Sequence, residues 1–199
     1  MSVAEAPSAP PATTARRPRK RFLVFGVVAA ALLGVGLFST FGTRRSGPGH
    51  PVVGGPAPHF SLARLGGPGT VGMPADGGSH GRPVVLLFMA SWCGPCETEM
   101  PSLAGAIRTQ QANGGSLAKV AVIGVDTLDP VKSALAFVKR AGVSFPVGID
   151  GNATVTETLY GFTGDPEAVF VTGTGTIARI VRGPLSAKAF VADEQALLG

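Results

Sequence analysis

Cys93 and Cys96 are the only cysteines in a chain of 199 residues, and they stand in the run Ser91-Trp92-Cys93-Gly94-Pro95-Cys96-Glu97-Thr98-Glu99-Met100-Pro101. Two thiols at this spacing can close a small disulfide ring and reopen it, which is redox chemistry within one segment. A purely structural role fits poorly, because a cross-link that closes so short a loop constrains the unfolded chain little. A tetrahedral zinc site needs four ligands. No third cysteine exists, and His50, His59 and His80 all fall in Gly/Pro-rich stretches. The expectation is therefore no resident metal and no cofactor. A dithiol that carries Cu(I) is the alternative metal chemistry, since soft thiolates suit that ion.

The attacking species in disulfide exchange is a thiolate. An apolar run from Val84 to Ala90 precedes the pair and a helical stretch follows it. Cys93 is thus expected at a helix start, where free backbone N–H groups and the helix dipole favour negative charge. Cys96, one turn on, is expected beneath it as the resolving thiol. Gly94 and Pro95 keep the intervening loop tight, and Trp92 is a natural cover for the site and a contact for an incoming chain. Glu99 follows Cys96 by three positions, on the same helical side. It is read either as a carboxylate that exchanges the proton of the buried thiol or as an ordinary acid of the first helical turn. Glu97 is read as solvated. Gly164-Asp165-Pro166-Glu167 precedes a strand; by itself it reads as a turn, with a cis proline as the other possibility.

The elements that must position these residues follow from periodicity. His59–Leu65 suggests a first strand, with a short one near Thr70–Val71. Pro83–Met89 is a continuous apolar run of strand length, as expected for a strand buried on both faces, and Lys119–Asp126 is a second buried strand built on Val120–Val125. A helix is predicted from Cys93 or Gly94 to about Gln111, kinked at Pro101 and ended by Asn113-Gly114-Gly115. A second helix runs to about Ala141, with Asp129 as its N-cap and Pro130 at its first position. Phe145–Ile149 is extended and Thr154–Tyr160 is a short helix. Ala168–Thr172 and Thr176–Arg182 form a hairpin, and Ser186 caps a terminal helix that reaches Leu198. The fold class is α/β, a mixed sheet flanked by helices.

The net charge is +5 at pH 7, but it is unevenly placed. Residues 1–45 hold seven Lys/Arg and one acid, Glu5; residues 46–199 hold ten Lys/Arg against eleven Asp/Glu, a net of −1. The basicity therefore belongs to the N-terminal segment, and no nucleic-acid partner is implied. Residues 22–41 carry no charge. Their length suits a helix crossing a hydrocarbon core of ~30 Å. Five basic residues, Arg16, Arg17, Arg19, Lys20 and Arg21, precede the span, and Arg44 and Arg45 follow it. That asymmetry puts the N-terminus in the cytoplasm and the domain outside. The expected organisation is a cytoplasmic tail over 1–21, a signal-anchor helix over 22–41 in the plasma membrane, a linker over 42–55 and one domain over 56–199. Cleavage of the segment, releasing a secreted domain, is the alternative.

In sum the chain resembles the membrane-anchored, extracytoplasmic thioredoxin-like proteins of the TlpA/ResA/CcmG type, which include cytochrome c maturation thioredoxins. The resemblance covers about residues 54–190. It rests on Gly55-Pro56-Ala57-Pro58-His59-Phe60, the Val84–Met89 strand, Trp92-Cys93-Gly94-Pro95-Cys96, Glu99-Met100-Pro101 and Val122-Ile123-Gly124-Val125-Asp126. It continues through Phe145-Pro146-Val147, Tyr160-Gly161-Phe162 and Gly164-Asp165-Pro166-Glu167. It implies a thioredoxin fold with an added N-terminal β-hairpin, a redox-active Cys93–Cys96 disulfide, and Glu99 as an acid near the site. It also implies a cis Pro166 facing Cys93, and substrate contacts at Trp92, Gly94, Pro95, Asp165 and Pro166.

The activity so implied is thiol–disulfide exchange outside the membrane. Exported proteins, such as apocytochrome c, would be reduced by Cys93 attack and Cys96 resolution, with electrons from a membrane dithiol carrier. A disulfide-forming oxidase is the alternative. A peroxidase is disfavoured, because a lone peroxidatic cysteine needs no second thiol at this spacing. Two departures from the pattern stand out. Leu87 occupies the position where cytosolic thioredoxins keep a buried aspartate, so proton handling must differ. Asp165 precedes the proline where a neutral residue is common; a carboxylate there would raise the pKa of Cys93 by like-charge repulsion.

Overall fold

A computed structural model of the protein describes residues 50–74 and 81–198. The expected anchor span, the tail before it and most of the expected linker lie outside these residues. Seven strands form one sheet: β1 (Leu62–Arg64), β2 (Thr70–Val71), β3 (Val84–Met89), β4 (Ala121–Thr127), β5 (Val147–Asp150), β6 (Glu167–Val171) and β7 (Ile177–Arg182). Their order across the sheet is β2-β1-β5-β4-β3-β6-β7. The central pairs β3–β4 and β4–β5 are parallel, while β1–β2, β1–β5, β3–β6 and β6–β7 are antiparallel. The sheet is mixed, as expected, and the β1–β2 hairpin extends it along the β5 edge. Before it, Gly54 and Gly55 exchange backbone hydrogen bonds with Ile177 of β7, so the folded body begins upstream of Pro56.

Every residue of β3 is buried. Successive side chains of a strand point to opposite faces, and the core divides accordingly. Val85, Leu87 and Met89 belong to one cluster, with Cys93, Cys96, Met100, Leu103 and Phe137; Val84, Leu86 and Phe88 belong to the other, with Phe60, Tyr160 and Phe162. The first cluster is covered by three helices, α1 (Gly94–Ala112), α2 (Val131–Ala141) and α3 (Ala187–Gln195). On the opposite face Tyr160 stacks against Phe60, Phe88 and Phe162, and its hydroxyl donates to the Pro58 carbonyl at 3.1 Å.

The expected short helix at Thr154–Tyr160 is a π-helical turn over Thr154–Leu159. Its first amides are held by Asp150 at the end of β5, which accepts from Val155 N, Thr156 N and Thr156 Oγ1. Pro101 lies inside α1, and Gly142 ends α2 in the left-handed conformation. Ser186 caps α3 as expected, its Oγ accepting from Ala189 N at 3.2 Å.

Candidate active site

The chain leaves β3 at Met89 and reaches α1 through Ala90, Ser91, Trp92 and Cys93. Two side-chain contacts fix this short passage to the end of β4. Asp129 accepts from Ser91 N at 2.6 Å and from Ser91 Oγ at 2.7 Å. The Trp92 indole Nε1 donates to the Thr127 carbonyl at 2.9 Å, while its ring stays 54% exposed. Asp129 is therefore not the N-cap of α2 that its sequence position suggests. Pro130 occupies that place, with no side-chain cap. The carboxylate gains two charge-assisted bonds across the site instead of one to its own helix.

Cys93 is the N-cap of α1, and its sulfur accepts from Cys96 N at 3.1 Å. The two cysteines are joined as a disulfide. Cys96 is wholly buried and Cys93 is 3% exposed, so only Cys93 has an edge toward solvent. Gly94 and Pro95 between them are exposed. A thiolate at Cys93 would sit at the positive end of a helix of 19 residues, with a backbone N–H already aimed at it. Leu87, at 2% exposure, packs in the same apolar cluster as both cysteines, so β3 supplies no carboxylate to them.

Glu99 lies two turns into α1, half-buried, and its Oε2 accepts from Leu185 N at 2.8 Å. Burial pushes its pKa up, and the bond from Leu185 opposes that shift. With Pro95, Thr98, Ser102, Leu185 and Ser186 it lines a cleft of about 570 Å³ beside the Cys-Gly-Pro-Cys turn. Glu97 is exposed and paired with Arg140 of α2 at 2.5 Å. The Asp165–Pro166 peptide is cis. Pro166 is buried and Asp165 half-buried at the head of β6, and the Pro166 carbonyl accepts from Gly183 N.

Sequence reasoning singled out Asp165 but missed the buried acids that accompany it, Asp126 and Glu167. Asp126, the penultimate residue of β4, has no exposure, and neither carboxylate oxygen has a hydrogen-bond partner. Desolvation, reinforced by the Asp129 carboxyl, which repels the anion and lies close enough to share a proton though it makes no well-formed bond, and by the charge of Asp165, pushes its pKa up to about 8. Both Asp165 oxygens are likewise buried and without a well-formed hydrogen bond. Burial raises the Asp165 pKa to about 6; Thr127 opposes the shift and Asp129 and Asp150 add to it. Glu167 is raised to about 7 by burial, against the pull of Arg182. The available sequence signal was an aspartate closing the apolar run Val120–Val125. A charge inside a strand buried on both faces either has a special environment or is out of place.

A mixed sheet whose central parallel strand runs straight into a Cys-x-x-Cys helix cap defines a thioredoxin-fold thiol–disulfide oxidoreductase. The chain belongs to the AhpC/TSA family, whose family model matches residues 53–180. It is similar to the thiol-disulfide oxidoreductase ResA of Geobacillus thermodenitrificans, 28% identical over 78% of this chain and 82% of that protein. It is also similar to the thiol:disulfide interchange protein DsbE of Escherichia coli K12, 29% identical over 78% of each. Among solved structures, MTB dsbF in its mixed oxidized and reduced forms superposes with a TM-score of 0.59 at 28% identity, covering 69% of this chain and 94% of that one.

Proposed function

We propose that the protein is an extracytoplasmic thiol–disulfide oxidoreductase that reduces disulfides in exported proteins, apocytochrome c among them. Residues 22–41 anchor it in the plasma membrane, and a membrane dithiol carrier re-reduces it. The observation that carries this reading is the arrangement of the ring: Cys93 is the helix cap and keeps only a 3% exposed sliver, while Cys96 behind it has none. In the reduced protein the Cys93 thiolate attacks one sulfur of the substrate disulfide and expels the other. Cys96 then attacks the Cys93 sulfur, the Cys93–substrate bond breaks, and the substrate leaves as a dithiol while Cys93–Cys96 is oxidised. Trp92, Gly94 and Pro95 form the exposed collar that meets the incoming chain, with Asp165 and Pro166 across from it. Glu99 buffers protons at the cleft.

In this reading the reducing direction is supported by Asp165, whose charge near the pair would oppose the Cys93 thiolate that the helix cap favours; a dithiol whose thiolate is less stabilised is a better reductant. Relatives along most of the chain are a thiol-disulfide oxidoreductase and a thiol:disulfide interchange protein, names that support disulfide exchange at this pair. The test has two parts. A Cys96→Ser variant should accumulate mixed disulfides through Cys93 with exported proteins. Thiol trapping in cells should find the wild-type pair mostly reduced; a mostly oxidised pair would refute the reductase and favour the oxidase.

A further inference from the structure

Trp92, Leu128, Val131 and Leu135 are large apolar side chains left at the surface, each between 39% and 55% exposed. They follow one another away from the disulfide. The Trp92 indole is bonded to the Thr127 carbonyl, and Trp92 and Leu128 line one small cleft. Val131 opens α2, and Leu135 lies one turn on, on the same side of the helix. Leu128 has a left-handed backbone, φ 54°, pinned by the bond from its N–H to the Asp150 carbonyl at 3.1 Å. That conformation is unfavourable for a bulky residue, and strain of this kind collects where a surface is used.

The path ends in a hollow. Beyond Leu135 a cleft of about 140 Å³ opens against the start of β5 and the end of β1, walled by Leu65, Leu135, Val138, Val143 and Phe145 together with Arg64. It has room for one aliphatic side chain. The charge around it is positive. α2 contains no acid and exposes Lys132, Lys139 and Arg140, and Arg140 is turned to Glu97. Arg64 is exposed as well, and neither it nor Lys132 nor Lys139 is in an ion pair among the described residues. The acids lie at the other end: Glu157 borders Leu128, and Asp129 is turned inward to Ser91.

We propose that this path is a second contact site for the polypeptide being reduced. The segment that flanks its reacting cysteine runs extended over Trp92, Leu128, Val131 and Leu135, seats an aliphatic side chain in the cleft and turns an acidic one toward Arg64 and Lys139. The inference rests on the reading of Cys93 as the thiol that attacks a polypeptide disulfide. A cysteine bonded to Cys93 leaves its own neighbours beside Trp92, so the path is continuous with the reacting site. From Val131 to Val138 the helix rises ~10 Å, and an extended chain covers ~3.3 Å per residue. With the Trp92 and Leu128 end added, the aliphatic residue falls about five positions from the reacting cysteine and the acid about six.

The test uses the full chain in detergent, reduced beforehand, and symmetrical disulfide dimers of synthetic peptides with one cysteine each. Each turnover breaks the peptide S–S bond, forms the Cys93–Cys96 bond and releases two peptide thiols. One peptide has only Gly and Ser around its cysteine. Two others carry Leu then Glu at these distances, one before the cysteine and one after it, to cover both chain directions; matched peptides carry Lys in place of Glu. One of the Leu–Glu peptides should be reduced about tenfold faster than the Gly/Ser peptide at subsaturating concentration, the gain from burying one leucine. Its Lys counterpart should gain less. The variant V131S/L135S should reduce the Gly/Ser peptide like the wild type and lose the tenfold gain. R64E should reverse the order of the Glu and Lys peptides. Equal rates on all peptides would leave this face to a folded partner and overturn the proposal, as would a gain that survives in both variants. A wild-type chain that reduces no peptide, the Gly/Ser one included, overturns the oxidoreductase reading itself.

Discussion

Replacing Asp126 by Asn should make the protein more stable at neutral pH, against the usual expectation for a core substitution. Asn has the shape and polarity of the protonated acid and no charge. The Asp126 pKa stands at about 8 in the fold against an ordinary 3.8, so between these values the native state holds a proton that the unfolded chain has lost. Stability from this group is fully present below about pH 4 and is lost as pH rises through 8. Each pKa unit corresponds to ~1.4 kcal/mol. By pH 7 the wild type has given up at most ~4 kcal/mol, and water entry at the strand end reduces the figure toward ~2 kcal/mol. Asp126→Asn should therefore match the wild type at pH 4 and exceed it by about 2–4 kcal/mol at pH 7.

Urea unfolding of the oxidised proteins at pH 4, 5.5, 7 and 8.5 reads this directly. Asp165 and Glu167 also titrate within the window, but they do so in both proteins, so the difference isolates Asp126. A variant less stable than wild type at pH 7, or a gap that does not widen with pH, would refute the reasoning. It would mean that Asp126 has a partner that makes its charge welcome.

Asp165→Asn should shift the reduction potential to less negative values. Removing the carboxylate stabilises the reduced thiolate, and ~30 mV corresponds to each tenfold change in the equilibrium constant; a zero or opposite shift in a glutathione titration counts against the like-charge argument. Asp129→Ala should cost about 2–4 kcal/mol in urea unfolding, because two hydrogen bonds to a carboxylate are lost and the Ser91 amide is left without its acceptor. A loss below ~0.5 kcal/mol, the range of ordinary surface changes, would show that the passage into α1 does not depend on it. Glu99→Gln retains an acceptor for Leu185 N, so stability should change by less than ~0.5 kcal/mol. Insulin reduction at pH 7 should nonetheless fall about tenfold; unchanged turnover would leave Glu99 a purely structural link between α1 and the segment before α3.

Much of this protein follows from local pattern. The apolar runs at Val84–Met89 and Val120–Val125, short and rich in valine, read as strands buried on both faces. Gly142 and Ser186 mark a helix end and a helix start by their backbone and capping preferences. The spacing of Cys93 and Cys96 after a strand places a thiol at a helix cap, because the hydrogen bond from Cys96 N to Cys93 Sγ is local. These readings succeed since each depends on neighbours within a turn or a strand's length.

What the tertiary structure alone decided concerns groups far apart in sequence. Asp129 looked like a helix cap, yet its carboxylate crosses 38 positions to Ser91, where two donors outcompete one. Glu99 reaches the Leu185 amide, 86 positions on. Asp126 and Asp165 are single aspartates in unrelated segments, and only the sheet brings them near one another and removes water from both. Charge and helix position could be read from residue types; desolvation could not, because it is a property of everything packed around the group. The identity of the dithiol was thus set by sequence, and the proton chemistry that surrounds it by the fold.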